Sequence, residues 1–192
     1  MLIFLLGIMC SGKTTTGRKL ARELNYSFFD IDENIEKEQG KSIGEIIEKK
    51  GDDFFRKIER RKLKETFKKK NTVVSTGGGT PCYFDNIDLM NKKGITVFMN
   101  PGEEIIFNRW KLLKDSRPLL KKIPTVELQP TLHRLLTFRA ESYGAAKIMV
   151  NGKEANNEHF IAYVIRRLYH DKPGLSKPRP RSKNYLQPLA AT

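Results

Sequence analysis

The sequence has few of the residues that build metal sites, disulfide frameworks or membrane spans. Its two cysteines, Cys10 and Cys82, and its three histidines are not spaced as in zinc sites or catalytic triads. The longest apolar run, residues 1–9, is much shorter than the ~20 residues of a membrane-spanning helix, and no basic segment precedes it. We therefore expect a soluble, cytoplasmic protein that is not exported and does not associate with a membrane.

Acidic residues are also scarce, since 22 Asp and Glu against 36 Lys and Arg give a net charge of +14. Such an excess attracts nucleic acid, anionic membranes or phosphorylated small molecules. The basic residues of the body are spread over several predicted helices and are not interleaved with aromatic residues, which disfavours a nucleic-acid partner. Length and composition predict one monomeric domain over residues 1–169 and a disordered, basic, proline-rich tail over residues 170–192.

Short apolar runs alternate with helical patterns along the predicted domain. The unbroken run Leu2–Leu6 is typical of a strand buried on both faces, and helix formers follow from Lys13 to Leu24. Further strands are predicted at residues 26–29, 72–75, 95–99 and 147–150, and further helices at residues 86–93, 103–113, 132–146 and 158–169. Residues 32–70 are mostly helical, and residues 114–130 form a polar excursion. This alternation predicts a doubly wound α/β domain.

The strongest local signal is G-x4-G-K-[ST] at residues 7–14, between a predicted strand and a predicted helix. In such a P-loop the backbone N–H groups surround phosphate oxygens. Lys13 would neutralise the β- and γ-phosphates, and the Thr14 hydroxyl would bind Mg²⁺. The motif predicts binding of ATP with Mg²⁺; the alternative is a simple turn between strand and helix.

Two later motifs each allow a functional and a structural interpretation. Asp30 and Asp32 follow the second strand, where α/β folds place ligand-binding groups, so Asp30 would face the metal and Asp32 an acceptor hydroxyl. Alternatively, Asp32 caps the next helix. Arg56 and Glu59 lie three residues apart on a predicted helix, which ordinarily indicates a surface ion pair.

Three further features also allow more than one interpretation. The glycine loop, residues 76–79, offers main-chain N–H groups to a small ligand, or it is a sharp exit turn. Arg117, in the polar excursion, could swing onto a transferring phosphoryl group, or it lies in a solvated basic loop. Arg139 and Tyr143 are four residues apart on a late helix and could form only a packing pair.

Taken in order, these motifs resemble the shikimate kinase family over residues 1–169. The matching motifs are the P-loop, D-x-D, G-[ED]-x-x-F-R-x-x-E, S-T-G-G-G, R-P-L-L and R-x-x-x-Y. The resemblance implies an α/β, three-layer P-loop kinase fold with a central five-stranded parallel sheet, a helical substrate-binding region near residues 32–62 and a mobile lid near residues 114–125. It also implies transfer of the ATP γ-phosphoryl group to the shikimate 3-hydroxyl, giving shikimate 3-phosphate and ADP in the chorismate pathway to aromatic amino acids.

The resemblance assigns roles to individual residues. Nucleotide binding falls to Cys10, Ser11, Gly12, Lys13, Thr14, Thr15, Arg109 and Arg117. Metal binding falls to Thr14, Asp30 and Ser75. Shikimate binding falls to Asp32, Arg56, Gly78 and Arg139. The catalytic set is Lys13, Asp32 and Arg117. The chemistry is consistent, because two permanently charged arginines suit a carboxylate and Asp32 suits a hydroxyl.

The sequence departs from the family pattern at two positions that bear on the site. Asp52 stands where the family commonly has Glu, in a salt-bridging or capping role. Trp110 occupies the place of an adenine-contacting arginine, so that role is carried to the adjacent Arg109. Two alternative functions remain open: a kinase for another small molecule, such as gluconate or a nucleoside monophosphate, and a nucleic-acid-binding P-loop protein.

Overall fold

The computed structural model describes residues 1–152 and 157–170, and its centre is a five-stranded sheet. The strands are β1 (Leu2–Leu6), β2 (Ser27–Asp30), β3 (Thr72–Ser75), β4 (Ile95–Asn100) and β5 (Ile148–Asn151). Their order is β2-β3-β1-β4-β5, and every neighbouring pair is parallel. The predicted parallel sheet is confirmed, although β2 and β5 begin one residue later than expected.

Nine α-helices connect the strands within the described residues. They are α1 (Lys13–Leu24), α2 (Ile31–Gln39), α3 (Ile43–Lys50), α4 (Asp52–Thr66), α5 (Asn86–Lys93), α6 (Glu103–Leu113), α7 (Pro118–Lys121), α8 (Leu128–Gly144) and α9 (Asn157–His170). The predicted start of α8 at Leu132 is wrong. The helix already begins at Leu128, because Pro130 lies in its first turn, where a missing N–H costs no hydrogen bond.

The sheet separates two hydrophobic clusters, as the three-layer prediction requires. Ile3 and Leu5 of β1 pack with α1 and α9 on one face, whereas Phe4 and Leu6 pack with α2, α3 and α4 on the other. Alternate side chains of a strand point to opposite faces, and all of β1 is buried. The site residues that follow β1 therefore extend from a strand that is buried along its whole length.

A third hydrophobic cluster lies beside the P-loop and anchors the lid segment, residues 114–125. It joins the P-loop to α6, α7 and α8 through Ile8, Ile106, Trp110, Leu120, Leu128 and Leu132. Leu120 of α7 is fully buried, so the polar excursion contains an apolar anchor. The tail predicted at residues 170–192 lies outside the described residues except for His170, which ends α9. Among the described residues, no helix has the length and apolar character to cross a membrane.

Candidate active site

A cavity of about 590 Å³ opens where β1, β2 and β3 end. Ligands commonly bind at the carboxyl ends of the strands in open α/β sheets. Every residue that the sequence assigned to a site lines this cavity: Cys10, Ser11, Gly12, Lys13, Thr14, Thr15, Asp30, Asp32, Arg56, Ser75, Gly78, Arg109, Arg117 and Arg139. The structure thus brings the predicted nucleotide, metal and acceptor residues to one place.

The P-loop is held in a tight curve around the Lys13 ammonium. Gly7 and Gly12 have φ of +148° and +101°, and a Cβ on Gly7 would lie 2.9 Å from the Met99 carbonyl oxygen. Lys13 Nζ donates hydrogen bonds to the Gly7 and Ile8 carbonyls at 2.7 and 2.9 Å. Its burial lowers the pKa of Lys13 to about 8. The loop therefore carries a cation at its centre.

Oxygen atoms from three elements meet next to the P-loop. Thr14 Oγ1 donates to Asp30 Oδ2 at 2.8 Å, and Ser75 is the register partner of Asp30 across β2 and β3. Asp30 Oδ1 accepts the backbone N–H groups of Asp32 and Glu33. Asp30, and not Asp32, is therefore the N-cap of α2, so the alternative role suggested for Asp32 is wrong.

Asp32 is a half-buried carboxylate with a free acceptor atom. Its Oδ1 is buried and has no hydrogen-bond partner. Burial, together with the nearby charges of Glu59 and Asp30, raises the pKa of Asp32 to about 7, and Lys13 opposes the shift. A hydroxyl group brought to this cavity would find an acceptor whose charge changes near neutral pH.

Arg56 and Glu59 form a buried pair, so the interpretation as a surface ion pair is wrong. Glu59 is 1% exposed, and its Oε2 accepts from Arg56 Nη1 at 2.8 Å. Arg56 also pairs with Asp52, with 3.1 Å between Nη2 and Oδ1. Asp52 therefore has the salt-bridging role expected for the acidic residue at its position. These two ion pairs hold the Arg56 guanidinium at the cavity wall.

Arg139 has donors that no protein group satisfies. Its Nε and Nη1 are buried and have no hydrogen-bond partner. The residue four positions later, Tyr143, is buried, stacks on Phe98 and donates its hydroxyl to the Gly78 carbonyl at 2.7 Å. The two residues are thus more than a packing pair, because Tyr143 fixes the glycine loop while Arg139 lines the cavity with unused donors.

The glycine loop lets charged side chains approach the main chain. A Cβ on Gly77 would lie 2.5 Å from Glu59 Oε1 and 2.7 Å from Asp32 Oδ1. A Cβ on Gly78 would lie 3.0 Å from an Arg139 nitrogen, and one on Gly79 would lie 2.8 Å from an Arg56 nitrogen. An exit turn alone needs no such clearance. Glycine is needed here because the side chains of Asp32, Arg56, Glu59 and Arg139 converge on the loop.

Arg109 and Trp110 contact the P-loop at two different carbonyl groups. The Trp110 indole is fully buried and its N–H donates to the Met9 carbonyl at 3.2 Å. Arg109 Nη1 donates to the Cys10 carbonyl at 3.0 Å. Burial raises the pKa of the Cys10 thiol, while the nearby cations of Arg117, Lys13 and Arg109 oppose the shift. Arg117 therefore lies close enough to the P-loop to act on its electrostatics.

Glu59, Thr80 and Tyr143 hold residues or main-chain groups of the site in place, and none of them was in the predicted set. Glu59 and Tyr143 belong to motifs that the sequence displays, but spacing along a helix does not reveal burial. Thr80 had no sequence signal, since its partner Glu59 lies 21 residues away.

The comparisons with known proteins agree with this geometry. The family model described as shikimate kinase matches residues 9–169. The shikimate kinase of Bacteroides thetaiotaomicron is 39% identical over 166 residues, which cover 86% of this chain and 95% of that protein. The shikimate kinase of Aquifex aeolicus is 42% identical over 158 residues, covering 82% of this chain and 90% of the relative.

The solved structures give the same result. The crystal structure of the Acinetobacter baumannii shikimate kinase in complex with shikimate has a TM-score of 0.81 and 30% identity, and the match covers 89% of this chain and 94% of that one. The chain therefore belongs to the shikimate kinase family.

Proposed function

We propose that this protein transfers the γ-phosphoryl group of ATP to the 3-hydroxyl of shikimate, giving shikimate 3-phosphate and ADP. The observation that carries the proposal is Arg139, whose buried Nε and Nη1 lack partners in the cavity that also holds Lys13. Buried donors nearly always have a hydrogen-bond partner, so these two atoms indicate that an anionic ligand binds here. With Arg56 on the same cavity wall, they suit a carboxylate, which shikimate carries.

The P-loop side of the cavity suits the triphosphate. The P-loop main chain and Lys13 would hold the β- and γ-phosphates. Thr14, Asp30 and Ser75 offer hydroxyl and carboxylate oxygens, which are the ligands that Mg²⁺ prefers, so these residues would hold it directly or through water. Bound there, Mg²⁺ would neutralise charge on the phosphates. Arg109 and Arg117 add positive charge at the loop.

The acceptor side suits a hydroxyl held by its neighbours. Asp32 Oδ1, which has no protein partner, would accept a hydrogen bond from the 3-hydroxyl and take its proton as the phosphoryl group is transferred. The Gly78 N–H would contact a ring hydroxyl. Lys13 and Arg117 would stabilise charge on the transferring group, as cations do in phosphoryl transfer. We further propose that the protein acts as a monomer in the cytoplasm, where ATP is available.

The test is ADP release with Mg²⁺ and ATP, using shikimate, gluconate and AMP as separate acceptors. We expect turnover with shikimate alone. Arg139→Ala should raise the KM for shikimate by at least ~30-fold, about 2 kcal/mol, and leave the KM for ATP unchanged. The matched control is Arg134→Ala on the same helix, whose side chain is exposed and pairs with Glu127. Preferential turnover of gluconate or AMP would overturn the acceptor assignment.

A further inference from the structure

A buried hydrogen-bond chain lies behind Arg56 and begins outside the cavity lining. Thr80 is fully buried, and its Oγ1 donates to Glu59 Oε1 at 2.6 Å. The other carboxylate oxygen, Oε2, accepts from Arg56 Nη1 at 2.8 Å. The two oxygens of Glu59 are therefore held by different segments of the chain, and neither is left to solvent.

Thr80 is itself fixed by its main chain. Its N–H donates to the Gly77 carbonyl at 3.2 Å, and its carbonyl accepts from Asn86 Nδ2 at 2.8 Å. Asn86 is fully buried at the start of α5. The Thr80 hydroxyl is consequently held in a constant position relative to the glycine loop, so it can orient its partner.

The orientation of Glu59 matters because Arg56 has competing acidic neighbours. A guanidinium prefers to bind a carboxylate through two parallel hydrogen bonds. If both Glu59 oxygens were available, Arg56 could pair with them at once and direct its donors away from a ligand. Thr80 occupies one of these oxygens, and Asp52 contacts another edge of the guanidinium.

We propose that Thr80 is a positioning residue for the acceptor site: its hydroxyl holds Glu59 so that Arg56 presents its donors to the acceptor carboxylate. This inference rests on the proposed function. Thr80 does not line the cavity, so it acts through Glu59 and Arg56 and does not touch the acceptor.

The test compares Thr80→Val, which removes the donor at nearly constant volume, with Thr80→Ser, which keeps it. Thr80→Val should raise the KM for shikimate about tenfold, which is the effect of ~1.4 kcal/mol, and leave kcat and the KM for ATP within about twofold. Thr80→Ser should stay within about twofold of the wild type for all three. Should Thr80→Val not fold, Thr80→Ala removes the same hydroxyl.

The matched control is Thr66→Val in α4, the helix that carries Arg56 and Glu59. Thr66 is also fully buried, but its hydroxyl donates to the Leu63 carbonyl of its own helix. Urea unfolding should show comparable losses for Thr66→Val and Thr80→Val, whereas only the latter should alter the KM for shikimate. A wild-type KM in Thr80→Val, or an equal defect in Thr80→Ser, overturns the proposal.

A readout without substrate separates this inference from the proposed function. The Arg56 Nε–H signal in a ¹⁵N NMR spectrum, assigned with Arg56→Lys, should shift in Thr80→Val and not in Thr66→Val. If wild-type protein does not phosphorylate shikimate, the proposed function fails, and this signal alone decides whether Thr80 positions Arg56. An unchanged signal in Thr80→Val overturns the positioning role.

Discussion

Lys13 and Asp32 line one cavity, and removal from water shifts their pKa values in opposite directions. The pKa of Asp32 is raised to about 7, so its carboxylate is the main form above that pH. The pKa of Lys13 is lowered to about 8, so its ammonium is the main form below that pH. Both charged forms are required by the proposed chemistry, so the free enzyme has a narrow range in which both are present.

We expect a bell-shaped pH profile when both substrates are well below their KM values, where the rate reports the free enzyme. The rate should be highest between about pH 7 and pH 8. It should fall about tenfold per pH unit below that range as Asp32 is protonated, and likewise above it as Lys13 loses its proton. The two apparent values belong to the pair, since the two charges interact.

At saturating ATP the alkaline fall should shift to higher pH, because phosphate oxygens favour the charged form of Lys13. The acid fall should remain and should disappear from the residual activity of Asp32→Asn. Initial rates from pH 5.5 to 9.5 at both substrate levels provide the measurement. A profile that stays flat across this range would contradict the assignment of both groups.

The sequence predicts the members of the site better than their surroundings. Lys13 and Thr14 are predicted by a motif whose spacing dictates the loop itself. Glu59 was expected on the surface, because helical spacing shows which residues are neighbours and carries no information on which face is buried. Thr80 could not be predicted, since its role arises from a contact between α4 and the turn after the glycine loop.

Two aromatic side chains connect distant helices to the two halves of the site. Trp110 of α6 donates its indole N–H to the Met9 carbonyl in the P-loop, and Tyr143 of α8 donates its hydroxyl to the Gly78 carbonyl in the glycine loop. Each bond satisfies a main-chain acceptor in one of the two loops that line the cavity. Under the proposed function, α6 would fix the loop that binds the nucleotide and α8 the loop that binds the acceptor.

Trp110→Phe and Tyr143→Phe should each weaken the binding of a different substrate. Each removes one donor and leaves a carbonyl without a partner, which costs about 1–3 kcal/mol of stability. Trp110→Phe should raise the KM for ATP several-fold, and Tyr143→Phe should raise the KM for shikimate several-fold. Each variant serves as the control for the other in steady-state kinetics. Equal effects on both substrates would show that the loops are not fixed independently.

The lid segment is in contact with the helix that borders the acceptor side. A Cβ on Gly44 of α3 would lie 3.3 Å from Pro118 Cβ, and Lys122 pairs with Glu48 at 2.9 Å. Leu120 lies between these contacts and is buried in the third cluster. The ion pair is exposed and adds little, so the close approach at Gly44 is the contact that sets the distance between lid and helix.

Gly44→Ala should weaken shikimate binding without lowering the free energy of unfolding. Alanine favours a helix by up to ~1 kcal/mol over glycine, so the free energy of unfolding should rise or hold, while the added methyl group pushes Pro118 outwards. We expect the KM for shikimate to increase several-fold. Gly144→Ala is the matched control, because Gly144 is also helical and its added Cβ would meet nothing within 4 Å. Identical kinetics in both variants would exclude the lid contact as a determinant.

The five strands and most of the longer helices could be predicted from local sequence patterns. The alternation of apolar runs gave β1 to β5 in their correct places, and residues 86–93 and 103–113 form the expected helices. The short helix α7 was missed, because four residues in a polar, proline-containing stretch carry no periodicity. Its formation depends on the burial of Leu120 against α6 and α8, a tertiary contact that no local pattern contains.

The whole molecule carries a net charge of +14. The cations that line the cavity are Lys13, Arg56, Arg109, Arg117 and Arg139, and they stand beside the carboxylates of Asp30, Asp32, Glu33, Glu36 and Glu59. Some exposed basic residues elsewhere form ion pairs, as in Arg61 with Glu38 and Arg18 with Glu33. A net positive charge of this size attracts anionic substrates to the protein, and the attraction weakens as salt screens it.

Raising the ionic strength should therefore weaken ATP binding without changing the chemistry. Between 50 mM and 500 mM salt we expect the KM for ATP to rise about tenfold and kcat to stay within about twofold, because screening acts on long-range attraction. A variant lacking residues 171–192 is the matched control, because it loses the basic tail and keeps the cavity. It should show the same salt dependence of KM.

In filter binding near physiological salt, neither form should retain RNA or DNA. Retention that survives in the shortened protein would show that the charge of the folded domain serves a nucleic acid as well as ATP.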